Sequence, residues 1–423
     1  MSKSSLALNN LRAVITLIVL AFHASLAYLG SSAPSAYAFD KAPYLWRAFP
    51  IVDRDRWFGF DIFCAWQDIS LMVLLFFLSA LFSWPSLARK GTGKFLGDRL
   101  LRLGVPWLFG ALVLMPISLY AVYRTTASDQ SLQAYAHHLF ALPFWDNGPM
   151  WFLWQLLALT IIASALHRFA PRFIEYLGAL TARAGTRPGV YFLWLTAASA
   201  LAYVPMALAF TPMAWAERGP LSVQFCRPLL YLVFYLAGLG VGAQGFDQGL
   251  LAADGALARG WTRWLGLNTL AFVSWLGLMG LSLTFHPAPL ALQIAADIVF
   301  AIAAASGCFA ALALSLRFAG SYSRILDPIA KNALGLYVVH YPFSVWLQYS
   351  LLGVALFAFA KAMIVLALAT LSSMALIVLL RLVPFGSYLV GETPRPWRYG
   401  LARRSREQTE KSPAAIPLPS RIH

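Results

Sequence analysis

Between Asp68 and Arg89 the chain reads ISLMVLLFFLSALFSWPSLA, twenty residues without a charge. A helix rises about 1.5 Å per residue, so such a stretch covers about 30 Å, the hydrocarbon thickness of a bilayer. The pattern repeats along the chain. No charged residue falls between Arg102 and Arg124, Asp146 and His167, Arg187 and Glu217, Arg227 and Asp247, Arg263 and His286, or Lys361 and Arg381. Three further apolar stretches enclose one ionisable residue each, His23, Asp297 or His340. None of these stretches alternates polar and apolar residues, which argues against a β-barrel. The expected architecture is all-α, a polytopic integral membrane bundle of about ten transmembrane helices.

Composition agrees. The 423 residues are 60% hydrophobic and 12% charged, about half the charge of a soluble domain. The bilayer is therefore an expected partner. The net charge of +15 does not point to nucleic acid, because its distribution follows the positive-inside rule. Of 32 Lys and Arg residues, seven fall on the outer side if the N-terminus is inside: Lys41, Arg47, Arg54, Arg56, Arg124, Arg218 and Arg227. Lys361 lies near the outer end of a span, where it can snorkel, and the other 24 fall on the inner side. Both termini are thus expected in the cytoplasm. Ala36-Tyr37-Ala38 resembles a signal-peptide cleavage site, but it lies some way past the apolar run, and His23 is out of place in a disposable segment. Cys64, Cys226 and Cys308 are far apart and read as apolar fillers, with no metal site expected.

Residues 1–383 form the expected transmembrane unit. Residues 384–423 turn basic and proline-rich and are expected to be a disordered cytoplasmic tail. A long outer loop runs from about Gly30 to Asp68, and a second, about Thr125 to Pro149, contains His137, His138 and Asp146. No fixed-period repeat is visible.

Ionisable groups inside a span are costly and usually functional. His23 sits in Leu17-Ile18-Val19-Leu20-Ala21-Phe22-His23. Burial favours its neutral ring, which can accept a proton or simply bond a neighbouring helix. Arg12 precedes it by eleven residues, about three turns and ~16 Å, so the two side chains share one helix face. One face then carries a cation at the inner mouth and a base deeper in the membrane. Arg99 and Arg102, three residues apart, are expected on a common face beside Lys94. Paired guanidiniums grip phosphates well, although positive-inside anchoring accounts for the same residues. Tyr337 and His340 are likewise three apart, and the histidine either lines a polar cavity or caps backbone. Asp297 needs a partner that the sequence does not name.

These pieces resemble the acyltransferase-3 family of bacterial inner-membrane acyltransferases. The likeness rests on Leu11-Arg12-Ala13 with its Arg-x10-His spacing to His23, Phe76-Phe77-Leu78-Ser79, Lys94-Phe95 leading into Arg99-Leu100-Leu101-Arg102-Leu103 and Pro106, Trp151-Phe152-Leu153, and Gly335-Leu336-Tyr337-Val338-Val339-His340-Tyr341-Pro342. The chain departs from the family where Ser79-Ala80-Leu81 replaces the more usual Ser-Gly-Phe, and where Leu74 and Leu75 stand in place of an acidic residue. Those departures lean toward the glucan-modifying branch. The resemblance implies a multi-pass inner-membrane enzyme with no permanently bound cofactor. It would transfer an acetyl or other short acyl group from acyl-CoA, such as acetyl-CoA or succinyl-CoA, to an envelope glycan. Arg12, Arg99 and Arg102 would hold the CoA phosphates, His23 would be the general base or the carrier of the acyl group, and Tyr337 and His340 would support the pocket. Aromatic residues near Trp57 and Trp145 would face the sugar. The competing reading is a transporter or flippase without acyl chemistry, for which matching halves with broken helices would be the signature. The chain shows no such symmetry.

Overall fold

The computed structural model describes residues 2–32, 38–212 and 214–392. Residues 36 and 37 of the cleavage-like stretch and residues 393–423 of the basic tail lie outside them. The described chain is almost entirely helical. The long helices are α1 (Lys3–Ser25), α2 (Phe58–Lys90), α3 (Thr92–Thr126), α4 (Trp151–Phe169), α5 (Pro188–Phe210), α6 (Pro228–Gln244), α7 (Trp261–Ser282), α8 (Leu290–Phe318), α9 (Ala333–Ser350) and α10 (Ala358–Leu382). One short antiparallel hairpin, β1 (Trp215–Arg218) and β2 (Leu221–Gln224), follows α5.

Eight of these helices are long and apolar enough to cross a membrane: α1 to α5, α7, α8 and α10. A ninth is counted if α6 is joined to Gly249–Arg259 across its 84° bend. The protein is a multi-pass membrane protein. Inner and outer are used here in the sense the charge asymmetry predicts.

The bundle is organised around α1, which packs on α2, α8, α9 and α10. Helix association in a bilayer depends on close backbone approach rather than on hydrophobic burial. Gly238 and Gly242 of α6 show why. A Cβ on Gly238 would lie 2.2 Å from the Phe77 carbonyl oxygen, and one on Gly242 would lie 2.7 Å from that of Leu81. The small-xxx-small step of α6 thus lies directly on the α2 backbone. Two turns further toward the outer end of α2, a Cβ on Gly307 of α8 would strike Ser70 Oγ at 2.2 Å. The outward faces carry Trp194, Leu201, Leu270 and Leu371, all exposed, as lipid-facing side chains should be.

Several helix limits differ from expectation. α2 begins at Phe58, eleven residues before the predicted span at Ile69, because its outer acids have partners. Asp61 accepts from the Gly30 and Ser31 backbone N–H groups at 2.7 and 3.0 Å, and Asp68 accepts from Arg227 Nη2 at 2.6 Å. Pro85 does not end the helix, which runs to Lys90 and turns at Gly91, where φ is +74°. The second outer loop contains a helix, Leu132–Phe140, and His138 there approaches Asp40 at 2.9 Å. Residues 386–389, beyond the expected end of the bundle, form a helical turn packed against α10.

Lys361 departs most from expectation. It does not snorkel to water. Its side chain is 0% exposed, and Nζ donates to both carboxylate oxygens of Asp53 at 2.9 Å and to Asp55 at 2.7 Å. Asp53 is itself buried, and its backbone N–H donates to the Ala27 carbonyl. A charge at the edge of the membrane is thus neutralised by the first outer segment, which is held across the top of α1 as a cap. Lys361 holds the Asp55 carboxyl below its usual range. A depressed carboxyl pKa contributes stability above the unfolded value, lost as pH falls through the folded value. The Asp55 contact should therefore weaken only in acid.

Lys361→Ala leaves a buried carboxylate without its counter-charge and is expected to cost about 3–5 kcal/mol. The loss should appear as a lower Tm in detergent. Pairing Lys361→Met with Asp53→Asn should recover most of it, and equal Tm values for Lys361→Ala and wild type would exclude the cap-anchoring role.

Candidate active site

The expected site residues fall into two groups along α1. At its inner part, Arg12 donates from Nη2 to the Ala330 carbonyl at 3.2 Å and lies over the Phe82 ring, 5.4 Å from its centroid. Arg99 donates to Ser83 Oγ at 3.0 Å and covers the Phe95 ring. Arg102 is close enough to both Arg12 and Arg99 for the like charges to repel. Among the described residues, no carboxylate forms an ion pair with Arg12, Arg99 or Arg102, whereas Lys90 pairs with Asp98 close by. Three guanidiniums therefore gather near the inner end of α1 without a directly paired carboxylate, an arrangement that favours a polyanion.

The Arg-x-x-Arg pair does not sit on a regular α-helix. Leu100–Gly104 is a π-helical turn, and a second one follows at Gly110–Leu114. Widened turns of this kind occur often at functional sites. Here the first leaves Arg99 half-buried against α2 and Arg102 exposed.

At the outer part of α1 lies His23. It sits in the helix's last turn, nearer the cap than the mid-membrane depth expected from the apolar run. His340, on α9, is fully buried. Its Nε2 lies 3.1 Å from His23 Nδ1, with ring centroids 4.8 Å apart. Tyr341 packs edge-on to His23 at 5.3 Å. Gln348 Nε2 donates to the His23 and Ala24 carbonyls at 2.8 and 3.1 Å, closing the end of α1. Arg12 touches Ala330, just before α9, and His23 touches His340 ten residues later. α1 and α9 thus run side by side in the same direction, with Arg12 and His23 both turned toward the segment from Ala330 to His340.

The Tyr337 hydroxyl does not hydrogen-bond to the histidine pair. It donates to the Pro149 carbonyl. That contact draws in the end of the second outer loop. Residues 144–150 dip between α3 and α9. Trp145 Nε1 donates to the Ala111 carbonyl at 2.9 Å, Asn147 Nδ2 donates to the Pro220 carbonyl at 2.8 Å, and Gly148 takes φ +43°. A Cβ on Gly148 would lie 2.5 Å from Met115 Sδ and 3.5 Å from the Tyr341 ring. Asp146 rides on this segment, with one oxygen 3.9 Å from Arg47 Nε. Burial pushes its carboxyl pKa up, a common property of groups that act in reactions. The sequence signal was slight: an acid immediately before Asn147-Gly148-Pro149.

The other candidates stand apart. Trp57 is half-exposed on the cap. Asp297 is part-exposed on α8, and His137 and His138 lie on the outer helix. A cavity of about 550 Å³ lies on a different flank of α1, between Leu11, Ile18, Trp66, Leu74, Asn268 and Phe272, and is almost wholly apolar.

A basic inner cluster, joined along one helix to a partly exposed imidazole backed by a buried one, suits transfer chemistry on an anionic donor. No curated protein and no solved structure matches the chain, but the model of an acyltransferase domain, that of the acyltransferase-3 family, matches residues 5–382, from the first turn of α1 to the last residue of α10. The chain belongs to the acyltransferase-3 family.

Proposed function

We propose that this membrane acyltransferase takes acetyl, succinyl or another short acyl group from acyl-CoA on the cytoplasmic side and transfers it to a hydroxyl of an envelope carbohydrate. The reading rests on one observation above the rest: Arg12 and His23 lie on a single face of α1, ~16 Å apart, against successive positions of one partner segment. The CoA phosphates meet Arg12, Arg99 and Arg102. The thioester extends along α1 toward His23. The acceptor arrives from the outer side, beneath the cap and past the segment carrying Asp146.

His23 takes the proton of the acceptor hydroxyl as that oxygen attacks the thioester carbonyl. The new C–O bond forms, the C–S bond breaks, and the proton returns from His23 to the departing thiolate. Proton transfer by a placed base contributes about 10²–10⁴-fold. A covalent acyl-histidine would use the same ring as nucleophile.

In this reading α9 is a transmembrane segment as well. It falls short on apolar length because it carries the polar groups of the site: Tyr337, His340, Tyr341, Ser344 and Gln348. With α6 and α9 counted there are ten spans; an even count leaves both termini on one side, and the basic inner segments support reading that side as the cytoplasm, with the chain in a bacterial inner membrane.

A deletion strain complemented with wild type or His23→Ala provides the first test. With the variant protein at normal level, glycan ester content should fall at least about 100-fold; persistence of the esters would exclude His23 as the catalytic base. Arg99→Ala and Arg102→Ala should each raise the KM for acyl-CoA about 10- to 100-fold, the worth of a charged hydrogen bond. An unchanged donor KM in both would remove the phosphate site.

A further inference from the structure

The hydrogen bonds of His23 and His340 fix which nitrogen of each carries a proton. His340 Nδ1 lies 2.8 Å from the Tyr337 carbonyl oxygen and 3.1 Å from that of Leu336. Carbonyl oxygens only accept, so Nδ1 must be the N–H of His340. A neutral imidazole has one N–H, which leaves His340 Nε2 with a bare lone pair. That lone pair faces His23 Nδ1 at 3.1 Å. His23 Nδ1 also lies 2.9 Å from the Val19 carbonyl oxygen. Both neighbours of His23 Nδ1 are acceptors, so it too must be an N–H. The lone pair of His23 is then on Nε2, the nitrogen with no protein hydrogen bond among the described residues.

We propose that His340 is a positioning residue for the transfer reaction: its unprotonated Nε2 accepts from His23 Nδ1–H, locking His23 in the tautomer that presents Nε2 to the acceptor hydroxyl. The inference rests on His23 acting as the base, as proposed above. It assigns to a neutral, fully buried histidine the duty that a carboxylate performs in the serine-protease triad. A neutral partner suits this depth. An aspartate at the position of His340 would bring a net charge into a site where the cost of burying one is high.

The arrangement also accounts for the proton. When the acceptor hydroxyl loses its proton to His23 Nε2, His23 becomes an imidazolium that donates from Nδ1 to a strong acceptor rather than to a backbone carbonyl alone. The same contact holds the ring while the proton is returned to the thiolate. The number of protons on the pair is the same before and after each turnover.

α9 is built to keep His340 in this role. The Leu336 and Tyr337 carbonyls belong to the preceding turn of the same helix, so they follow any movement of the residue they orient. Ser344 donates to the His340 carbonyl and Gln348 ties the next turns to the end of α1. The spacing of the two imidazoles is thereby fixed at both ends of the contact.

The test compares His340→Gln, which keeps an acceptor oxygen near the position of Nε2, with His340→Leu, which does not, assayed as purified protein in detergent. His340→Leu should lower kcat about 10²–10⁴-fold, as loss of an orienting partner does in other catalytic histidines. The KM for acyl-CoA should stay within about twofold, because the phosphate site is ~16 Å away. His340→Gln should recover at least about tenfold of that loss. A readout independent of turnover is carbethoxylation of His23 by diethyl pyrocarbonate, followed by mass spectrometry. It should be fast in wild type and His340→Gln and about tenfold slower in His340→Leu. Equal kcat in all three proteins, or equal losses for Gln and Leu with His23 labelling unchanged, would overturn the inference. Since His23→Ala tests the base itself, loss of activity in that variant alongside full activity in His340→Leu would reject the positioning role and leave the proposed reaction standing.

Discussion

The seam between α1 and α9 carries polar groups through a medium that cannot solvate them. In hydrocarbon an unpartnered N–H, C=O or imidazole nitrogen costs several kcal/mol, so each must find a partner within the protein. The seam meets that demand in three places. Arg12 takes the Ala330 carbonyl, His23 and His340 take each other, and Gln348 takes the two carbonyls freed at the end of α1. Once these three contacts are made, the register and direction of α1 against α9 have no freedom left. The depth of His23 relative to the guanidinium cluster follows from them.

The remaining helices divide into a scaffold and a lid. In the scaffold, α2 receives the glycine face of α6 at backbone distance and Gly307 of α8 against the Ser70 side chain. This is rigid packing, and it holds Phe82 and Ser83 where Arg12 and Arg99 rest on them. The lid is the first outer segment, bound by charge: Asp53 and Asp55 on Lys361, Asp61 on the Gly30 and Ser31 amides. One side of the site is therefore set by shape and the other by ion pairs.

Much of the bundle was legible because the bilayer imposes a length on apolar runs. Where the sequence misled, a charge had a partner far along the chain. Asp61 and Asp68 made the first part of α2 look like loop, and only Gly30, Ser31 and Arg227 make them tolerable in a helix. Lys361 looked like a snorkelling residue because its acids lie 306 and 308 positions away. The site divides in the same way. Arg12 and His23 were readable as a pair since eleven residues bring a helix back to the same face. Arg99 and Arg102 were readable as a group, but the π-helical turn that separates their surroundings was not. Tyr337 and His340 stood out as polar groups in an apolar run, yet their partners, Pro149 and His23, lie 188 and 317 positions away. Asp146 was the least legible, because a carboxylate in an outer loop gives no sign that the loop folds inward.

The placement of the two chemical ends has a consequence for the acceptor. His23 is in the last turn of α1, just under the cap, while the guanidiniums lie about three turns below. In the proposed reaction the long journey is made by the donor arm, which is flexible and keeps its charge behind at the inner rim. A sugar hydroxyl has only to pass the cap and the Asp146 segment to meet Nε2 of His23. The polar acceptor then never enters hydrocarbon, where each unpartnered hydroxyl would be costly. The donor carries inward only an uncharged arm and a thioester when the acyl group is acetyl. A succinyl group would bring its carboxylate with it. Arg47 lies 3.9 Å from Asp146 at the outer mouth, so preference between neutral and acidic acyl groups should depend on the surroundings of Arg47 more than on the phosphate site.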